Sequence, residues 1–162
     1  MELGDRLSNI RLFVMDVDGV MTDGRIILGD GIELKSFNVQ DGYGIKQLSE
    51  KGITPVIITK RRSTSVEMRS KELDIHELYQ GVLDKKTCLN GIMAKYSVDW
   101  SNVCYMGDDI PDLDVMKLAG FSVAVSNAVD EIKQVAHYIT RTSGGNGAIR
   151  EVADLICKAK GS

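Results

Sequence analysis

The stretch Arg11-Leu12-Phe13-Val14-Met15-Asp16-Val17-Asp18-Gly19 decides the fold. Arg11 to Met15 is a short apolar run bounded by charge, too brief for a stable helix and suited to a buried strand. It ends on two aspartates two residues apart, and Gly19 lets the chain turn away there. Outward from it the pattern recurs. Strands are expected at Thr54–Ile58 ending at Thr59, at Glu77–Tyr79, and at Asn102–Met106 ending at Gly107-Asp108. Two more are expected at Phe121–Val125 and His137–Ile139. Between them lie stretches of helical period. One is capped by Asp41, carries Ile45 and Leu48, and stops at Gly52. Another runs from Ser63 or Thr64 to Leu73. A third is capped by Asp84, with Cys88, Leu89, Ile92, Met93 and Tyr96 on one face. The rest start at Pro111, near Val129, and at Ala148, the last ending at Lys158. Strands alternating with helices predict an α/β fold with a mainly parallel sheet. One segment breaks the alternation: Arg25 to Phe37, around Gly29-Asp30-Gly31, reads as a small β-hairpin inserted after strand 1. Ile27, Ile32, Leu34 and Phe37 are its candidates for burial.

With 162 residues, the chain is expected to form a single domain over 1–162, large enough to bury a full core. Its 20 basic against 23 acidic side chains give a net charge of −3, which offers no general attraction to nucleic acid or an anionic membrane. No apolar run reaches the ~20 residues needed to cross a bilayer, and the first residues lack the pattern of a signal peptide. The three scattered cysteines, Cys88, Cys104 and Cys157, form neither a disulfide framework nor a metal cluster. A cytoplasmic location is expected.

In open α/β sheets, ligands bind beyond the carboxyl ends of the strands. Those ends carry Asp16, Thr59 and Asp108, with Lys85 after the short third strand. Alone, an Asp-x-Asp is usually a solvated turn, and Asp108-Asp109-Ile110-Pro111-Asp112 would pass for helix capping. Their convergence on one sheet edge points instead to phosphate and metal. Mg²⁺ takes a few carboxylate oxygens together with substrate phosphate oxygens, which Asp16 and Asp108 could share. One close carboxylate can serve as nucleophile while its neighbour carries a proton. Lys85 and the Thr59 hydroxyl would bind the remaining phosphate oxygens.

In this order, Asp16-Val17-Asp18-Gly19, Thr59, Lys85 and Gly107-Asp108-Asp109 with Asp112 resemble the motifs of the haloacid dehalogenase superfamily of Mg²⁺-dependent phosphohydrolases. Three longer stretches, Asp16 to Gly24, Phe37 to Lys46 and Gly144 to Glu151, are similar to the 3-deoxy-D-manno-octulosonate 8-phosphate (Kdo 8-phosphate) phosphatases. The likeness covers nearly the whole chain. It implies a three-layer Rossmann-like fold without a cap domain, and Mg²⁺ held by Asp16, Asp108 and the main-chain carbonyl of Asp18. It implies Asp16 as nucleophile forming an aspartyl-phosphate, Asp18 as general acid and then base, and Thr59 and Lys85 fixing the phosphoryl group. Around the sugar acid phosphate it places Asn38, Val39, Gln40, Asp41, Gly42 and Lys46, with Arg61, Arg69 and Lys85. It further implies a homotetramer built through the hairpins, in which a glycine-rich tail reaches toward a neighbour's site.

The chain departs from that family in places. Lys60 replaces the glycine after Thr59, Asn146 stands where a charged residue is common, and Gln40 and Lys46 replace arginines. Three other readings compete: a phosphatase for a nine-carbon sialic-type sugar acid 9-phosphate, a non-catalytic oligomerisation module, and a receiver-like domain. The intact pair Asp16 and Asp18 weighs against the last two.

Overall fold

The computed structural model describes residues 2–161. Six strands form one sheet in the order β5-β4-β1-β6-β7-β8, where β1 is Leu12–Met15, β4 Thr54–Ile58, β5 Glu77–Tyr79, β6 Val103–Gly107, β7 Phe121–Ala124 and β8 Tyr138–Ile139. Every pairing is parallel. That suits strands whose residues are buried on both faces, as β1 and β6 are throughout.

Parallel strands need crossover helices. These are α2 (Val39–Glu50), α3 (Thr64–Glu72), α4 (Lys85–Tyr96), α5 (Leu113–Leu118) and α6 (Asp130–Val135), with α7 (Ala148–Ala159) closing the chain. Right-handed connections place α2 and α3 on one face and α4, α5 and α6 on the other. Helix α7 joins the first face through Ala148, Ile149, Val152, Ala153 and Ile156, all buried at three- and four-residue spacing. An additional helix, α1 (Leu3–Ser8), precedes β1 and packs on α7. It was not expected from the sequence. Six residues with only Leu7 buried leave too little periodicity to detect.

The start of α2 is corrected. Its cap is Asn38, whose Oδ1 accepts from the backbone N–H groups of Gln40 at 2.8 Å and Asp41 at 3.1 Å. Asp41 lies one turn inside. Its buried carboxylate accepts from the backbone N–H of Arg150 at 2.9 Å, so it serves the start of α7 instead.

The hairpin is present as β2 (Ile27–Gly29) and β3 (Ile32–Leu34). Its two-residue loop places Asp30 and Gly31 at φ 43° and 76°, the left-handed pair that matches strand twist. Within the protomer the hairpin covers little of the core. Ile27, Ile32 and Leu34 are exposed, as is Leu28 at 74%, and only Phe37 packs against the core.

The strand order sets the site. From β1 the chain steps outward to β4 and β5, then returns to β6 and steps the other way. The reversal leaves a crevice beyond the carboxyl ends of β1 and β6.

Candidate active site

Asp16 leaves β1 and Asp108 leaves β6, so these neighbours deliver both carboxylates to the crevice. The chain after Asp16 makes a wide turn over Val17–Met21, closed by the Thr22 N–H donating to the Val17 carbonyl at 3.1 Å. Within it Gly19 sits at φ 84°, and a Cβ there would collide with the Asp108 carboxylate. Only glycine meets both conditions. Thr22 Oγ1 accepts from Gly24 N–H at 3.1 Å. Asn127 donates to the Gly19 carbonyl at 3.0 Å and accepts from Gly144 N–H at 2.7 Å. A side chain at Gly144 would strike that same carbonyl. Within the protomer, the glycine-rich segment braces the Asp16 turn.

Carboxylate oxygens of Asp16, Asp108 and Asp112 lie within 4.8 Å of one another. Lys85, at the first turn of α4, brings its ammonium to 3.3 Å from Asp16 and 2.7 Å from Asp112. Asp112 is fully buried and already satisfied. Besides Lys85, it accepts from Tyr105 Oη at 2.6 Å and from the N–H groups of Asp108 and Asp109 at 3.0 and 3.3 Å. Asp16 Oδ1 accepts from the Val17 N–H at 2.7 Å, and the carboxylates of Asp16 and Asp108 both face the cavity. Thr59, Lys60, Arg61 and Asp18 complete the walls of a cavity of about 310 Å³.

The electrostatics are unbalanced. Burial, with the charges of Asp16, Asp112 and Asp109 added, pushes the Asp108 carboxyl up to about 8 against the weaker pull of Lys85. Burial raises Asp16 to about 6, Lys85 opposing and Asp112 reinforcing. Burial alone would lower Lys85, but Asp16 and Asp112 hold it above its usual value. Three carboxylates facing one ammonium call for a further cation. The donor set, hard oxygens from the Asp16 and Asp108 carboxylates, fits a magnesium-like ion.

Residues 63–152 match the family of haloacid dehalogenase-like hydrolases. A curated 3-deoxy-D-manno-octulosonate 8-phosphate phosphatase, KdsC of Yersinia pestis, is 48% identical over 96% of this chain and 83% of that protein. The chain belongs to the Kdo 8-phosphate phosphatase family. The Yersinia pestis crystal structure superposes with a TM-score of 0.96 over 98% of this chain and 86% of that one, at 47% identity. The family's Moraxella catarrhalis member, solved with magnesium ion, phosphate ion and KDO, gives 0.95 over 97% and 91%, at 46% identity.

Measured against the phosphatase motifs, the structure gathers Asp16, Asp18, Thr59, Arg61, Lys85 and Asp108 around one cavity. The segment from Asn38 to Gly42 lies elsewhere. Val39 is 83% exposed, and Gln40 lines a separate groove of about 490 Å³ with Arg141, Asn146 and Arg150. Lys46 reaches out toward Asp74 at 4.0 Å. Arg69, expected beside the substrate, donates to the Asn38 carbonyl at 3.1 Å and lies over the Phe37 ring. It holds the start of α2 against α3 and does not line the cavity. The Asp18 side chain turns from the carboxylate cluster to Lys35, 2.6 Å away. Lys35, Tyr105 and Asn127 carried no signal in the sequence, because each acts through a partner brought in by the fold.

A pH dependence follows from the raised Asp108. A carboxyl whose folded value lies above its unfolded one binds its proton more tightly in the folded state, so stability falls as pH rises through the folded value. His137, held low chiefly by burial, works oppositely but only below its usual value near ~6.5. Between pH ~6.5 and the value of about 8 for Asp108 the carboxyl dominates. Thermal melting of chelated protein should therefore drop by some degrees across that window. Asp108→Asn should flatten the slope, and added Mg²⁺ should restore stability at the alkaline end. A melting temperature that rises with pH in chelator would contradict this electrostatic picture.

Proposed function

We propose that the chain is a Mg²⁺-dependent phosphomonoesterase of a keto-deoxy sugar acid phosphate, converting Kdo 8-phosphate to Kdo and phosphate through an aspartyl-phosphate on Asp16. The meeting of Asp16 and Asp108 beside Lys85 at the sheet's switch point carries this reading. The names of its relatives, and the ligands of the Moraxella catarrhalis enzyme, support the substrate. Asp16, Asp108 and the main-chain carbonyl of Asp18 would hold Mg²⁺, which neutralises phosphate charge so that an anionic nucleophile can approach.

The chain's own groups do the rest. An Asp16 oxygen attacks phosphorus in line, the bond to the sugar oxygen breaks, and protonated Asp18 gives that oxygen its proton. Asp18, now ionised, takes a proton from the water that hydrolyses the acyl-phosphate. Lys85 and the Thr59 hydroxyl hold the equatorial oxygens in place. Arg61 and Lys60 add positive charge at the cavity mouth for an acidic substrate. The exposed residues of the segment from Asn38 to Gly42, Val39 and Gln40, serve the substrate together with Lys46 from across a subunit boundary, with Arg69 fixing the segment. The enzyme acts in the cytoplasm as a single-domain protomer.

The test is phosphate release from a panel of sugar phosphates, in Mg²⁺ and in chelator. The expected result is turnover abolished by chelator and strongest on keto-acid phosphates. Preference for a neutral sugar phosphate would reject the substrate, and turnover in chelator the metal.

Assembly is part of the proposal. The exposed face of Ile27, Leu28, Ile32 and Leu34 is the surface through which four copies pack. Leu28→Asp with Ile32→Asp should yield folded monomers by sedimentation, since each charge would lose its water at a packed interface. A tetramer that survives both substitutions would place the contact elsewhere.

A further inference from the structure

Strand β3 and its continuation face the opposite way from a strand that covers its own core. Ile32 and Leu34 point outward, while the alternate residues Glu33 and Lys35 turn inward toward the site. The Lys35 side chain is only 1% exposed, although it ends in an ammonium. A buried ammonium costs several kcal/mol unless it is paired and hydrogen-bonded, and here the pairing is specific. Its Nζ lies 2.6 Å from Asp18 Oδ1 and 3.2 Å from Glu33 Oε1. Glu33 is held in turn by Arg61, 2.7 Å from its other oxygen. The opposite Asp18 oxygen, Oδ2, has Arg61 Nε no nearer than 3.9 Å. Lys35 itself does not line the cavity.

We propose that Lys35 is a positioning residue, anchoring Oδ1 of Asp18 so that Oδ2 alone is presented to the departing sugar oxygen. The inference rests on the acid–base role proposed above for Asp18. One anchored oxygen fixes the carboxyl plane, and Glu33 with Arg61 keeps the anchor from swinging. The hairpin supplies this cation from a separate element, 17 residues along the chain, so the Asp-x-Asp turn does not have to hold Asp18 by itself. Misplacing a reacting group by about 1 Å costs about 10²-fold in rate.

Leaving-group dependence separates positioning from mere scaffolding. A sugar alkoxide needs the proton of Asp18 to depart, whereas p-nitrophenolate leaves without one. In Lys35→Met, kcat/KM for Kdo 8-phosphate should fall about 10²-fold, while kcat/KM for p-nitrophenyl phosphate stays near that of the unaltered enzyme. Lys35→Arg, which keeps a donor at the same place, should recover part of the loss. Melting curves and sedimentation establish that each variant is folded and assembled as the parent is. If Lys35→Met fails to fold, Lys35→Gln is read in the same way. Equal losses on both substrates, or no loss on either, in a folded variant would overturn the assignment. Failure of the underlying reading is distinct: Asp16→Asn would then retain turnover, or the unaltered enzyme would release phosphate from neither substrate.

Discussion

Asp16→Asn is expected to lower phosphate release by at least about 10⁴-fold, on the scale seen when a nucleophile is removed from a site that still binds substrate. An amide is a poor nucleophile and carries no charge for a divalent ion, so both proposed tasks of Asp16 fail together. The fold should not fail with them. The Asp16 carboxyl is pushed up to about 6 by burial and by Asp112, so its charge is a strain on the folded state rather than a support. A neutral isostere should therefore leave melting unchanged or raise it in chelator. Steady-state turnover and thermal melting on one preparation check both halves. Loss of turnover accompanied by collapse of the fold would assign Asp16 a structural task instead.

Lys85→Met should have the second largest effect, and of a different kind. Its ammonium is the only ion-pair partner found for Asp16 and Asp112 among the described residues. Breaking a buried pair by removing one partner costs about 3–5 kcal/mol, or roughly 10 °C of melting temperature for a chain of this size. Asp112 suffers most, because its oxygens also hold Tyr105 and the backbone of Asp108 and Asp109. The β6 end of the site should loosen as a unit. Activity should fall with it, since Lys85 also neutralises the transferring phosphoryl group. Mg²⁺ should recover part of the stability, by neutralising the neighbouring carboxylates, without recovering turnover. A variant that melts with the parent would show that Asp112 does not depend on this pair.

Much of the sheet was legible because a parallel strand buried on both faces is written as an unbroken apolar run. Thr54–Ile58 and Glu77–Tyr79 appear with those same bounds. The residues proposed for chemistry were legible for a related reason: each follows directly on such a run, or, for Lys85, on the cap of the next helix. What the strand ends could not reveal was which side chains hold those groups. Asn127 meets Gly19 across 108 residues, and Lys85 meets Asp112 across 27; no local spacing encodes either. Asp41 illustrates a different miss. An aspartate at a helix start looks like its cap, yet its carboxylate is taken by α7, 109 residues away. The hairpin is legible as a hairpin, but of its candidates for burial only Phe37 is covered within the protomer. Alternation tells which residues share a face, not which face finds a partner.

The central claim is that Asp16 and Asp108 share one divalent ion. Crystals grown with Mn²⁺ in place of Mg²⁺ test it most directly, through the anomalous signal of the metal. One peak is expected, about 2 Å from a carboxylate oxygen of Asp16 and from one of Asp108, with Asp112 still bound to Lys85. A peak at any other group of oxygens, or none at saturating Mn²⁺, would contradict the account.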